Sequence, residues 1–255
     1  MNRMILEEML DCYPFKIEGR ISKVSGETIE CEGLTLPIGT VGVIEGGGRK
    51  IKAEVILSDK NFVRLSPYER VFNLKAGDKF SVLEFKQNIG VSSQMQGRIL
   101  NCFGLPVDEK GAIRIESFYP LYKSSTNSME KKIIDEPFYT GIRAIDIFLT
   151  CGKGQRMGIF SGSGVGKSVL LSMIAKFSQS PVCVIALVGE RTREVKEFIE
   201  LELGEEGLKK SVVVVATSNE PPIFRLKAIF TATTIAEYFK DLGYDVLLLV
   251  DSITR

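Results

Sequence analysis

Chemistry is most concentrated in the run Phe160-Ser161-Gly162-Ser163-Gly164-Val165-Gly166-Lys167-Ser168. Glycines at such spacing let backbone N–H groups turn inward, and a helix beginning at Lys167 would aim its free amides at the same point. That combination suits phosphate oxygens. A lysine at the loop's end suits the β- and γ-phosphates of ATP, and the Ser168 hydroxyl suits a hard cation such as Mg2+. Residues from Gly162 through Ser163, Gly164, Val165, Gly166, Lys167 and Ser168 to Val169 therefore form the candidate nucleotide-binding set. The motif departs from its usual form at its first position, where Ser161 replaces glycine.

Two further carboxylates stand at the ends of apolar runs. Val246-Leu247-Leu248-Leu249-Val250 leads into Asp251, and a buried strand there would deliver the carboxylate to a sheet's C-terminal edge, beside a cation. Glu190 follows the apolar run 182–188. The chain has no histidine, so proton transfer or water orientation falls to a carboxylate, with Glu190 as the candidate. The competing reading of Glu190 is a helix-start residue favouring the helix dipole.

The elements needed to position these groups are legible as patterns. From residue 15 to about 85, short alternating runs broken by glycine turns predict strands at 16–24, 28–31, 34–36, 40–45, 51–57, 62–65 and 80–85, a small all-β barrel or sandwich. Residues 87–135 read as a connector and an irregular start to a second domain. From residue 140 solidly apolar strands alternate with helices. Strands are expected at 155–161, 182–188, 211–216 and 246–250, and helices at 167–177, 193–203 and 224–242. Strands apolar on both faces belong to a parallel sheet covered by helices. The domains expected are 1–86, with a short N-terminal helix striped by Met4, Ile5, Met9 and Leu10, and 87–255.

Composition narrows the function classes. Lys plus Arg total 33 and Asp plus Glu 32, a net charge of +1, so no broad field for nucleic acid exists; Trp is absent and no stacking platform stands out. The 5 cysteines are widely spaced, which fits buried thiols rather than a disulfide framework or zinc site. No apolar run reaches the length of a membrane span, and the acidic N-terminus is unlike a secretory signal. The abrupt end at Arg255, straight after an apolar strand, suggests a fragment of a longer protein.

Several stretches together resemble the hexameric ATPases related to the catalytic subunit of rotary ATP synthase, and within them the flagellum-specific export ATPases of type III secretion. They are Thr140-Gly-Ile-Arg-Ala-Ile-Asp146, Cys151-Gly-Lys-Gly-Gln-Arg156, Gly189-Glu-Arg-Thr-Arg-Glu194, Gly204-Glu-Glu-Gly-Leu208, Val212-Val-Val-Val-Ala-Thr-Ser218 and Asp251-Ser-Ile-Thr-Arg255, with Gly97-Arg-Ile-Leu100 and Gly104-Leu-Pro-Val-Asp108 upstream; the likeness is dense from about residue 97 onward and looser in the barrel. The resemblance implies an N-terminal barrel followed by a RecA-like P-loop domain with a largely parallel sheet, the family's C-terminal helical domain being absent. It implies ATP and Mg2+ as ligands. Lys167 and Ser168 would bind phosphate and metal, Asp251 would join the metal's shell, Glu190 would position the attacking water, and Arg191 and Arg255 would approach the γ-phosphate. Family members carry Ala or Gly where Ser161 stands, which leaves open whether its hydroxyl fits or narrows the loop.

The resemblance further implies a homo-hexamer for a full-length parent, cytoplasmic at the inner face of a membrane-embedded export apparatus. Peripheral membrane association is compatible with that. Its partners would be an export-apparatus regulator, chaperones and export substrates, with no nucleic acid. An arginine supplied in trans lies beyond residue 255 in the family. The 255-residue chain is therefore expected to bind nucleotide weakly and turn it over slowly. The alternatives are an ATP-binding docking subunit without turnover and an RNA-translocating ring helicase.

Overall fold

The structure, a computed structural model, describes residues 16–123, 129, 133–162 and 164–254. The expected N-terminal helix lies outside the described residues. The chain divides into two compact units, Met1–Gln87 and Asn88–Arg255.

The first unit is a closed antiparallel barrel in the order β1-β2-β5-β4-β3-β6. Its strands are β1 (Glu18–Ser25), β2 (Thr28–Glu32), β3 (Val41–Gly46), β4 (Arg49–Ser58), β5 (Phe62–Pro67) and β6 (Lys79–Glu84). Alternation fills its interior with Ile21, Ile29, Ile44, Val55, Leu65 and Phe80. Residues 34–36, expected as a strand, make none. Pro37 follows directly and cannot donate to a ladder, so Leu36 instead packs into the core from an irregular segment.

The second unit opens on β7 (Asn88–Val91), which pairs antiparallel with β9 (Ser117–Pro120). Between them lies β8 (Ile99–Asn101), read from sequence as connector but found parallel to β13 (Ser211–Ala216), matching Leu100 with Val214. A short pair follows, β10 (Pro137–Phe138) with β11 (Cys151–Gly152), around helix α1 (Arg143–Phe148). The main sheet is β14-β12-β13-β8, all parallel, with β12 at Val182–Val188 and β14 at Val246–Asp251.

The all-apolar character of β12 has a direct cause. Val182, Val184, Ala186 and Val188 pack on one face with Ala228, Ala232, Ile235 and Phe239 of helix α5 (Pro222–Asp241). Cys183, Ile185 and Leu187 pack on the other with Leu171 and Ala175 of α2 (Lys167–Phe177), and with Val195, Phe198 and Leu203. Those last three come from one helical arm. It runs as α3 (Thr192–Glu197), a π-helical stretch (Phe198–Leu203) and α4 (Gly204–Lys209). The arm was expected as one helix over 193–203. Burial pushes the Cys183 thiol up to about 12, and Cys31, Cys102 and Cys183 are buried and unbridged.

β8 is held by a clasp beneath the sheet edge. Arg98 donates to both carboxylate oxygens of Asp108, at 2.8 and 2.7 Å, and the Ile99 amide donates to the same group at 3.0 Å. The Asp108 side chain is 2% exposed. The hydrogen bonds from Arg98, reinforced by the Ile99 and Lys110 amides against the opposing effect of burial, lower its pKa to about 2.

The expected strand at 155–161 is not formed: residues 155–162 carry no regular structure, and Phe160 is 95% exposed. The apolar run there is only Met157 to Phe160. Gly158 interrupts it and contributes no side chain to pack. β14 consequently has one sheet neighbour among the described residues, β12. No described helix is long and apolar enough to cross a membrane.

Candidate active site

The C-terminal ends of β12 and β14 meet the start of α2. Gly164 and Gly166 have φ of +76° and +89°, conformations in which a Cβ would be strained, and α2 begins immediately after Gly166. No side chain caps that N-terminus and no acidic residue occupies its first turn, so the helix presents free amides and a positive dipole end. At the end of β14, Asp251 is 4% exposed and pairs in register with Leu187. Its Oδ1 lies 2.6 Å from the Lys167 ammonium.

At the end of β12, Gly189 turns with φ +74°, its N–H donating to the Ala216 carbonyl at 2.7 Å. Glu190 follows, ahead of the N-cap of α3. It is therefore not a helix-start residue; that place belongs to Glu194, in the first turn.

Ser168, Glu190 and Asp251 line a single cavity of about 140 Å³. Leu187, Val195 and Phe198 give it apolar walls, while Glu194, Glu197 and Glu202 add carboxylates. Sequence reading missed this acidic wall. Glu194 and Glu197 are three apart on a helix and so share a face, a signal present in the sequence. Glu202 reaches the cavity through the π-helical stretch, which no sequence pattern announced. Burial pushes the Glu202 carboxyl up, with Asp251 and Glu197 adding to the shift and Lys176 opposing it. A larger cavity of about 460 Å³ opens on the barrel between Glu18, Arg20, Glu32 and Lys79. Its charges offset one another, Lys79 standing 3.7 Å from Glu18, and it holds none of the phosphate-binding chemistry.

The donor set suits Mg2+. Ser168 and Asp251 offer oxygens to one cavity, and the buried Asp251 carboxylate already holds a cation there, the Lys167 ammonium 2.6 Å from Oδ1. Among the described residues no cluster of three or more acidic, histidine or cysteine side chains forms a metal cage. Mg2+ bound with phosphate needs only one or two protein oxygens beside its waters.

Other expected site residues are placed differently. Arg191 is the N-cap of α3, its side chain 80% exposed and 3.7 Å from Glu194, outside the cavity lining. Val165 and Val169 are exposed. Gly162 lies in the exposed loop, as does Ser161. Ser163 and Arg255 lie outside the described residues.

Fold and loop together define a P-loop nucleotide-binding unit preceded by a β-barrel. Residues 141–255 match the ATP synthase alpha/beta family, nucleotide-binding domain. The chain is homologous to flagellum-specific ATP synthases. It is 45% identical to that of Borreliella burgdorferi, over 98% of this chain and 58% of that protein, and 44% identical to that of Bacillus subtilis, over 97% and 57%. The assembled ATPase EscN of the enteropathogenic E. coli type III secretion system superposes with a TM-score of 0.82 at 40% identity, covering 92% of this chain and 57% of that one. The chain thus spans a little under three-fifths of the relatives it matches.

Proposed function

We propose that this chain is the barrel and nucleotide-binding part of an ATPase that energises protein export through a flagellar type III apparatus. The observation supporting it most is the meeting of Lys167 and Asp251 at 2.6 Å, beside a cavity that also takes in Ser168 and Glu190. The first-turn amides of α2, with Lys167, hold the β- and γ-phosphates. Ser168 and Asp251 hold Mg2+, which when bound supplies charge neutralisation at those phosphates. With the metal bound, Asp251 would serve its shell, and Lys167 would be free to reach phosphate. Glu190 orients water and takes its proton as the γ-phosphoryl group passes to the water oxygen, leaving ADP and inorganic phosphate. Arg191 and Arg255 are assigned to the γ-phosphate. For Arg191 this requires leaving Glu194 and turning inward.

The parent is proposed to work as a cytoplasmic ring at the export apparatus, with a regulator, chaperones and export substrates as partners. EscN has been solved in assembled form and in complex with its central stalk EscO, which supports the ring and a stalk partner here. Phosphate release in the presence of ATP and Mg2+ tests the reading. Glu190→Gln should lower turnover about 10²–10⁴-fold, the usual worth of a positioned base, while nucleotide affinity stays within about threefold. Unchanged turnover would instead identify a binding subunit whose phosphate release has another source.

A further inference from the structure

We propose that Glu220 is a positioning residue for Glu190, holding it through the turn at residues 217–220. The proposal rests on the hydrolytic reading above. Gly189 is the soft joint of the site, since its φ of +74° is one of several that glycine adopts freely. The direction in which Glu190 leaves β12 is therefore set by what grips its backbone. The end of β13 supplies such a grip: the Ser218 N–H donates to the Glu190 carbonyl at 3.0 Å, next to the bond from Gly189 to Ala216.

Ser218 is in turn fixed by Glu220. The Glu220 carboxylate accepts from the Thr217 amide at 2.5 Å and the Thr217 hydroxyl at 3.2 Å. The Glu220 amide donates back to the Thr217 carbonyl at 3.2 Å. These bonds close a small ring around Ser218. Glu220 directly precedes Pro221 and Pro222, the head of the 20-residue helix α5. Proline restricts the backbone of the residue before it and suits a helix's first position. The far end of the linkage is thus anchored on a helix packed against β12, β13 and β14. Neither Glu220 nor Thr217 lines the cavity, so the action runs through Glu190.

The test compares wild type, Glu220→Ala and Glu220→Gln in ATP turnover and in amide hydrogen exchange at Gly189 and Ser218, with Glu190→Gln as reference. Glutamine keeps an acceptor oxygen for Thr217. Misplacement of a reacting group by about 1 Å costs on the order of 100-fold in rate. Glu220→Ala should therefore lower turnover about 10- to 100-fold with KM for ATP within about threefold, and speed exchange at both amides. Glu220→Gln should restore most of both. Should Glu220→Ala fail to fold, Glu220→Asp, too short to reach Thr217 in this geometry, carries the same expectation. Wild-type exchange at both amides in Glu220→Ala overturns the proposal. So does wild-type turnover in that variant where Glu190→Gln abolishes turnover, an outcome that leaves the hydrolytic reading standing. Turnover insensitive to Glu190→Gln removes that reading and this role with it.

Discussion

The barrel and the parallel sheet handle strand ends in opposite ways. Every barrel strand has a neighbour on each side, and its apolar residues face a sealed interior. Closure removes the edges, and several of the barrel's charged groups pair at its surface, as Glu18 and Lys79 do. The parallel sheet stays open. Its strands all run one way, so their C-terminal ends collect at one rim, and there Glu190 and Asp251 meet the start of α2 while Ser218 bonds the Glu190 carbonyl. Parallel direction, rather than composition, gathers the chemistry.

Substitutions on either side should separate the two regions. Asp108→Asn should have the largest effect on stability, about 1–3 kcal/mol, because it leaves the half-buried Arg98 guanidinium without its charge partner. Calorimetry should show the second unit's transition falling while the barrel's holds. One transition lowered as a whole would merge the two units energetically. Lys167→Ala should weaken ATP binding by about 2–3 kcal/mol, roughly 100-fold, in titration calorimetry, with barrel stability untouched.

Acid should act selectively as well. The Asp108 pKa is depressed from 3.8 to about 2, chiefly by Arg98. Its contribution is complete above the unfolded value and is lost as pH falls through about 2. The second unit's stability should therefore decline between about pH 4 and pH 2, and more shallowly in Asp108→Asn. The smallest expected effect is Ile44→Val in the barrel core, about 1 kcal/mol by chemical denaturation, leaving nucleotide affinity unchanged.

Legibility in the sequence followed the length of each apolar run. Strands 182–188, 211–216 and 246–250 and the helix at 167–177 could be read because their apolar runs are long, two of them closed by Gly189 and Asp251. β8 could not, being three residues whose partner β13 lies about a hundred positions away. The run before the P-loop was read as a strand because it is apolar, yet Gly158 divides it and the sheet forms without it. Lys167, Ser168, Glu190 and Asp251 were nameable in advance from residue type and from the strands they follow. Glu202 and Glu220 were not: one depends on a π-helical stretch, the other on a turn that matters only through Ser218.

The ion pair between Lys167 and Asp251 is proposed to give way when nucleotide and Mg2+ bind, leaving Asp251 to the metal and Lys167 to phosphate. ATP affinity measured with Mg2+ and with EDTA, in wild type and in Asp251→Asn, tests it most directly. The account predicts that Mg2+ tightens ATP binding at least about tenfold in wild type, some 1.4 kcal/mol. In Asp251→Asn it predicts a gain under about twofold, with metal-free binding tighter than wild type because Lys167 is released to phosphate. Equal Mg2+ enhancement in both proteins would contradict it.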